Sequence, residues 1–145
     1  MKKLTVFLLL TIATTLTTGC SESNIYKSNQ LTLLNKEEVL EFMEDKGTGF
    51  LYIKSAYESR EEEEAFYIKE IERVTKAEKI DFYIFDAGSV DKDHTELGVD
   101  QYSRTFVFYQ NGEMKEELDF ADLSEDDVPS EVETFVQNVK EDYLK

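Results

Sequence analysis

The sequence predicts a single α/β domain in which a mixed central β-sheet is covered by helices on both faces. Through the first half of the domain, apolar runs of strand length alternate with amphipathic helical segments, a pattern typical of parallel strands joined by helical crossovers. The second half contains an Asn-Gly hairpin signal between two strands, which adds antiparallel strands to the sheet. The chain has 145 residues, enough for one domain with a modest core. The expected architecture is therefore a three-layer α/β/α sandwich.

The domain is expected to begin with a short apolar strand, LTLL, at Leu31–Leu34. Asn35 and Glu38 then match a capping box, in which the asparagine side chain accepts from the N3 amide and the N3 carboxylate accepts from the N-cap amide. Apolar residues follow at helical spacing, and Gly47 stands just past the predicted helix end. The continuous apolar run GFLYIK, Gly49–Lys54, predicts a central strand that is covered on both faces.

A second helix and a third strand continue the alternation. The helix is predicted from Glu61 to about Lys76, with acidic residues in its first turn and basic residues in its last, as the helix macrodipole favours. The segment KIDFYIFDAG, residues 79–88, is apolar almost throughout and predicts another buried strand. The buried stripe of the helix is predicted to contain Phe66, Tyr67, Ile68, Ile71 and Val74.

The C-terminal part is predicted to form a hairpin and a final helix. RTFVFY, residues 104–109, is a strand pattern, and Asn111–Gly112 is followed by a returning strand. Ser130 and Glu133 match a second capping box just after Pro129, which predicts the start of the last helix there. The apolar face of this helix is predicted to contain Val132, Phe135, Val136, Val139 and Tyr143.

Residues 1–19 have the parts of a secretory signal: two lysines, a short apolar run, and small residues before Cys20. The apolar run is about half of the ~20 residues that span a bilayer, so a permanent transmembrane helix is not expected. TTGC, residues 17–20, resembles the bacterial lipobox, whose cysteine is lipidated after cleavage. The lipobox prefers Leu at the position that Thr17 occupies here. An ordinary secreted protein with an unpaired thiol remains the alternative.

The lipobox resemblance implies that residues 1–19 are a lipoprotein signal peptide and that Cys20 carries the acyl chains. A diacylglyceryl group, with a further palmitate, supplies the two or more chains that stable anchoring needs. Residues 20–30 are polar, have no helical period, and are predicted to be a tether. The expected location is the extracytoplasmic face of a bacterial cell membrane, in a Gram-positive organism, with the membrane as one partner through the lipid anchor.

The charge of the chain excludes one class of partner. Cleavage after residue 19 removes two lysines and leaves 14 basic residues against 32 acidic ones, a formal net charge of −18. Nucleic acids and anionic lipid headgroups are bound through basic surfaces, so no nucleic-acid partner is expected. Phe and Tyr make up 12% of the chain and fall in patterned runs, which favours a packed domain over disorder.

The predicted element order is that of the thioredoxin fold, and two segments resemble thioredoxins directly. Residues 97–118 contain a Gly-Val pair, a Thr that opens an apolar strand, and an Asn-Gly-Glu hairpin. Residues 50–66 resemble the strand and helix start that hold the active site in that family. Residues 50–66, an apolar strand, a short loop and a helix with an aromatic soon after its start, also resemble the thioredoxin-like proteins that act as bacteriocin-transport accessory factors. The resemblance implies a thioredoxin-like domain over residues 31–145.

The segment lacks the residues on which thioredoxin chemistry depends. Thioredoxins use a Cys-x-x-Cys motif at the start of this helix, where the helix dipole lowers the pKa of the first thiol. Residues 57–61 here are Tyr-Glu-Ser-Arg-Glu, and Cys20 is the only cysteine of the chain. Arg104 occupies the place of the cis-proline that faces the motif in the family, and the only proline is Pro129. We therefore expect no catalytic residue of the thioredoxin type.

Other chemistry has little support in the sequence. The four glutamates Glu61–Glu64 point around a helix axis and are predicted to form a solvated first turn. The loop DKDHTE supplies Asp91, Asp93, His94 and Glu96, but it lacks the residue order and glycine of an EF-hand loop. A solvated acidic loop is the preferred interpretation, with cation binding left open. No metal site and no cofactor are predicted.

The leading functional hypothesis is therefore a membrane-anchored, redox-inactive thioredoxin-like protein that binds a protein or peptide partner. Its nearest resemblance implies an accessory role in bacteriocin or peptide export or immunity. Two alternatives stay open: a relict thiol–disulfide oxidoreductase that uses the thiols of a partner, and a structural or adhesion component of the cell envelope. The residues predicted to contact the partner are two aromatics and two arginines, the types enriched at interface anchors: Tyr57, Arg60, Tyr102 and Arg104.

Overall fold

A computed structural model describes residues 30–90 and 94–145. The predicted signal peptide, the lipidation site Cys20 and the tether up to residue 29 lie outside the described residues. So do Asp91 and Asp93 of the acidic loop. No helix within the two described ranges is long and apolar enough to cross a bilayer.

Five strands of the described residues form one mixed sheet with the order β1-β3-β2-β4-β5. The first three strands in chain order run parallel to one another, whereas β4 pairs antiparallel with β2 and β5 pairs antiparallel with β4. This topology confirms the predicted combination of two crossover units and a late hairpin. The strands are β1 at Leu31–Leu34, β2 at Gly49–Lys54, β3 at Phe82–Asp86, β4 at Thr105–Gln110 and β5 at Glu113–Asp119.

Within the described part of the chain, three α-helices cover the sheet: α1 at Lys36–Glu44, α2 at Glu61–Glu78 and α3 at Val128–Tyr143. Apolar residues of α2 and α3 pack together against one face of the sheet, and those of α1 pack against the other. The three-layer α/β/α sandwich is therefore confirmed. The connection from β3 to β4 contains two short 3-10 turns, Ala87–Ser89 and His94–Leu97.

The burial of β2 explains why this strand organises both layers of the core. Its side chains alternate between the two faces, as the pleat of a strand requires. Phe50 and Tyr52 belong to the cluster shared with α2 and α3, whereas Leu51 and Ile53 belong to the cluster shared with α1. All four are 0% exposed. The continuous apolar run in the sequence thus has the predicted cause, a central strand covered on both faces.

The hairpin between β4 and β5 has the predicted two-residue turn. Asn111 and Gly112 have φ values of +55° and +76°. Positive φ at both central positions is the geometry of a type I′ turn, which matches the twist of the flanking strands. Asparagine and glycine are the residues that adopt this geometry at least cost.

The helix starts confirm one capping box and contradict the other. The Asn35 side chain accepts from the Glu38 amide at 3.0 Å, and the Glu38 carboxylate accepts from the Asn35 amide at 2.8 Å. The prediction for Ser130 was wrong, since the N-cap of α3 is Asp127, three residues before Ser130, and the helix begins at Val128. Val128 is fully buried and Pro129 fits the first turn of a helix, where its missing N–H costs nothing.

We expect Asn35→Ala to lower the free energy of unfolding by about 1 kcal/mol, because it removes the side-chain acceptor of a complete capping box. Urea denaturation of the full chain measures this change. Ser130→Ala is the matched control, since the Ser130 hydroxyl only donates to the exposed Asp127 carbonyl at 2.9 Å. Equal losses of stability in the two variants would contradict the assignment of the caps.

Candidate functional site

The strand ends place the candidate site at one edge of the sheet. β2 and β3 are parallel and pair in register up to their carboxyl ends. β4 runs the other way and begins where β2 ends, with Thr105 paired to Ile53. The chain leaves β2 through a 3-10 turn, Glu58–Arg60, that leads directly into α2. Residues 55–61, together with residues 102–104 before β4, are called the corner below.

Two of the predicted contact residues at the corner are exposed aromatics. Tyr57 is 69% exposed and Tyr102 is 83% exposed. The Tyr57 amide donates to the Ser55 hydroxyl at 3.3 Å, so the backbone of the turn is held while the ring faces solvent. Tyrosine is enriched at protein–protein interfaces, where its ring supplies a large apolar contact area. Both rings are therefore available for contact at the same edge of the sheet.

Arg104 fastens the start of β4 to its neighbours through its backbone. Its amide donates to the Ile53 carbonyl at 2.6 Å, and its carbonyl accepts from the Phe120 amide at 2.9 Å. The residue has a φ of +70°, which is uncommon for a residue with a side chain. All peptide bonds among the described residues are trans. Arg104, which the sequence resemblance aligns with the cis-proline of thioredoxins, is thus an arginine in a left-handed conformation.

The Arg104 side chain lies inside the protein. It is 12% exposed and its Nη2 donates to Glu63 Oε1 at 2.7 Å and to the Tyr67 hydroxyl at 3.0 Å. The guanidinium also lies 5.6 Å from the centroid of the Tyr67 ring, within cation–π range. These contacts hold α2 against the start of β4. The partner-binding role predicted for Arg104 stays a prediction, and the structure gives its side chain an internal role.

Arg60 and Arg104 meet at one carboxylate. Glu63 accepts from Arg104 on Oε1 and faces Arg60 Nη1 with Oε2 at 3.5 Å. The Tyr67 hydroxyl also donates to Glu63 Oε1, at 2.8 Å. Burial raises the pKa of Tyr67, and the hydrogen bond to Glu63 raises it further. Arg60 remains 41% exposed, so it can still contact a partner, whereas Tyr57 and Tyr102 take no part in these hydrogen bonds.

Glu64 departs from the expectation of a solvated first turn. Its neighbours Glu61 and Glu62 are exposed, but Glu64 is only 1% exposed. The buried Tyr52 hydroxyl donates to Glu64 Oε2 at 2.7 Å, while no donor among the described residues makes a hydrogen bond of normal geometry to Oε1. Burial raises the pKa of the Glu64 carboxyl, and the bond from Tyr52 and the facing Ser55 amide oppose that rise.

The predicted solvated first turn was wrong at Glu64, although helical spacing in the sequence indicates its burial. Glu64 stands three residues before Tyr67 and seven before Ile71, both of which lie in the core. That spacing places Glu64 on the buried stripe of α2, one turn before the apolar part begins. Its partner Tyr52 could not have been identified locally, because it comes from a different element.

The corner borders a cavity of about 270 Å³ that Glu64 lines. Lys54 and Asp86 also line it and form an ion pair at 3.3 Å. The described residues contain no group of three or more His, Cys, Asp or Glu side chains arranged to hold a metal ion. The chemical groups available to a ligand at the site are carboxylates, hydroxyls and exposed aromatic rings. Residues 30–145 contain no thiol.

Comparison with known proteins supports the fold. The thioredoxin-like domain of Arabidopsis NCP (nuclear control of PEP activity) is 13% identical with a TM-score of 0.54, over 78% of this chain and 81% of that one. Thioredoxin from Trypanosoma brucei brucei is 12% identical with a TM-score of 0.51, over 80% and 96% of the two chains. A designed protein is 14% identical with a TM-score of 0.51, over 74% and 90%.

These similarities define a thioredoxin-like α/β fold, and at such identities they extend to the fold alone. No protein-family model matches the chain, and no curated protein matches its sequence. The predicted fold class is thereby confirmed. The role of the corner must be inferred from its own residues.

We expect Glu64→Gln to raise the free energy of unfolding at neutral pH by about 1 kcal/mol, because it removes a buried charge and keeps an acceptor for Tyr52. The pKa of Glu64 is raised in the folded protein. Its unfavourable charge is therefore absent below the ordinary carboxyl pKa, about 4.3, and grows as the pH rises through the folded-state pKa.

Urea denaturation of both proteins between about pH 4 and pH 8 measures this effect, and the two stabilities should converge at the acidic end. Glu62→Gln is the control for a charge change on the exposed face of the same turn. A Glu64→Gln variant that is less stable than the wild type at neutral pH would contradict the assignment.

Proposed function

We propose that the chain is a lipid-anchored extracytoplasmic protein whose thioredoxin-like domain binds a protein or peptide partner at the corner. The observation that carries this proposal is the pair of exposed rings, Tyr57 and Tyr102, on either side of the junction between β2 and β4. Tyrosine supplies a large contact area at low conformational cost, which suits an interface anchor. Arg60, still partly exposed, lies in the same turn as Tyr57.

The domain is proposed to work without thiol–disulfide chemistry. Residues 57–61 supply no sulfur at the start of α2, and thiol–disulfide exchange requires a thiolate. The place of the cis-proline is filled by Arg104, whose guanidinium is engaged with Glu63 and Tyr67. At the position that the resemblance assigns to the cis-proline, Arg104 is thus proposed to hold α2 in place.

The partner is proposed to be a component of a peptide-export or bacteriocin system, for which this protein is an accessory or immunity factor. The resemblance of residues 50–66 to bacteriocin-transport accessory factors supports this role. The strongly acidic composition, with 32 Asp and Glu against 16 Lys and Arg, favours a basic partner through electrostatic complementarity.

We expect a photoreactive p-benzoylphenylalanine at position 57 to crosslink one defined protein on intact cells, because Tyr57 is exposed at the proposed contact surface. The yield should fall several-fold when Tyr102→Ala is added. Position 114 is the matched control, since Met114 is 43% exposed but lies beside the hairpin at the opposite edge of the sheet.

Mass spectrometry of the adduct separates the hypotheses. A transporter or an exported peptide would support the accessory role, and wall or division proteins would instead support the structural alternative. Equal crosslinking from positions 57 and 114, or none from position 57, would contradict binding at the corner.

We expect Cys20→Ser to abolish labelling by radioactive palmitate and to release the protein from the membrane fraction, because the variant cannot carry the acyl chains. Thr17→Leu is the matched control: it restores the residue that the lipobox prefers and should leave lipidation intact. Membrane retention of the Cys20→Ser protein after high-salt washing would contradict the lipid anchor.

A further inference from the structure

The cavity beside the corner is formed where two strand ends and a helix start converge. Lys54 and Ser55 close the end of β2, Asp86 closes the end of β3, and Glu64 reaches it from the first turn of α2. The turn after β3 packs tightly on the turn after β2: a Cβ added to Gly88 would lie 3.2 Å from the Cα of Ala56. The cavity therefore has walls that belong to three packed elements.

The side chains that line the cavity are predominantly acidic. Glu58, Glu61, Glu64 and Asp86 face Lys54 as the one basic lining residue among the described residues. The amino end of α2 adds a positive partial charge of about half an elementary unit, which does not offset this excess of carboxylates. An anionic ligand is thus disfavoured, and a cationic one is attracted.

Glu64 gives the cavity a specific hydrogen-bond acceptor in addition to its charge. Its side chain is 1% exposed, Tyr52 donates to Oε2, and the Ser55 amide faces the carboxylate. Oε1 has no hydrogen bond of normal geometry among the described residues. A buried carboxylate oxygen without a well-placed donor is unfavourable, and a charged donor in the cavity would relieve that cost. Lys54 Nζ donates to Asp86 at 3.3 Å and makes no such bond to Oε1.

We propose that this cavity binds the ammonium or guanidinium group of a basic side chain, carried by the peptide or protein partner. The proposal rests on the proposed function, since it names the chemical group that the corner takes from its partner. A volume of about 270 Å³ holds one extended side chain. Pockets for whole drug-sized ligands are typically larger, at about 300–1,000 Å³.

An organic cation fits the site better than a metal ion. The described residues include no triad of metal-ligating side chains, whereas one buried oxygen of Glu64 and one partly exposed carboxylate at Asp86 can each accept from an N–H donor. The Lys54–Asp86 pair is 30–35% exposed, so an incoming cation can displace Lys54 towards solvent and take its place on Asp86.

The test is an NMR titration of the full chain, labelled with ¹⁵N, with n-butylammonium, n-butylguanidinium and butyrate as probes. The two cations should shift the backbone amides of Ser55, Ala56, Gly88 and Ser89 in a saturable way, and butyrate should not. Equal shifts with butyrate, or cation shifts spread over the whole acidic surface, would overturn the proposal.

Three variants are expected to change the cation affinity in different directions. Glu64→Gln should weaken cation binding by about tenfold or more, because it removes the buried charged acceptor. Glu62→Gln, an equal charge change on the exposed side of the same turn, should leave the affinity within roughly twofold. Lys54→Met removes the competing internal cation and should strengthen binding roughly threefold. Equal effects of Glu64→Gln and Glu62→Gln would overturn the proposal.

Two further experiments complete the test. A peptide-binding comparison identifies the source of the cation, and a crosslinking experiment separates this proposal from the proposed function. A peptide with one lysine between two tyrosines should bind more tightly than n-butylammonium, and norleucine in place of its lysine should abolish the gain. If free amine and peptide bind equally, the site takes a small amine and the peptide source is wrong. If position 57 still crosslinks its partner when Glu64→Gln is present, binding at the corner stands and the basic side chain in the cavity is refuted.

Discussion

The interaction on which the corner depends is the contact of Arg104 with α2. Its guanidinium donates to Glu63 and Tyr67, while its amide and carbonyl bond to the chain at Ile53 and Phe120. One residue therefore connects β2, the end of β5 and the first two turns of α2. Hydrogen bonds to charged groups contribute about 1.5–3 kcal/mol each when buried, and the 33% exposure of Glu63 places this pair towards the lower end. The backbone of Arg104 adopts a φ that few residues with side chains adopt, and these contacts hold it there.

In this thioredoxin-like fold, Arg104 and its contacts hold the start of α2, the place where thioredoxins carry a reactive dithiol. Glu63 and Glu64, in the first turn of α2, are both engaged with groups on other elements. Glu64 accepts from Tyr52 on the central strand β2, and Glu63 accepts from Arg104 at the start of β4. The start of α2 is thus held by two other elements, and the exposed rings of Tyr57 and Tyr102 belong to the same corner.

Local patterns in the sequence predicted the fold and the position of the corner, because each depends on residues close together in the chain. The central strand, the Asn35 capping box and the Asn111–Gly112 turn are examples. The wrong prediction for Ser130 also has a local cause, because α3 begins at the buried Val128, before the Ser130–Glu133 capping-box pattern. The network of the site was not predictable in this way. Arg104 and Glu63 are 41 residues apart, and only the assembled sheet brings them together. The burial of Glu64 was readable from helical spacing, but its partner and the adjoining cavity were not.

The direction of β1 has a consequence for how the domain would stand on a membrane. β1 runs parallel to β2 and β3, so its first residue, Leu31, lies at the edge of the sheet opposite the corner. The four residues of β1, about 13 Å of strand, run from the entry of the chain at Leu31 towards the level of the corner. In the proposed anchored protein, the segment that follows Cys20 would enter the domain at Leu31, at the end of the sheet opposite the corner. A partner that binds the corner would then approach the domain from the end away from this entry point.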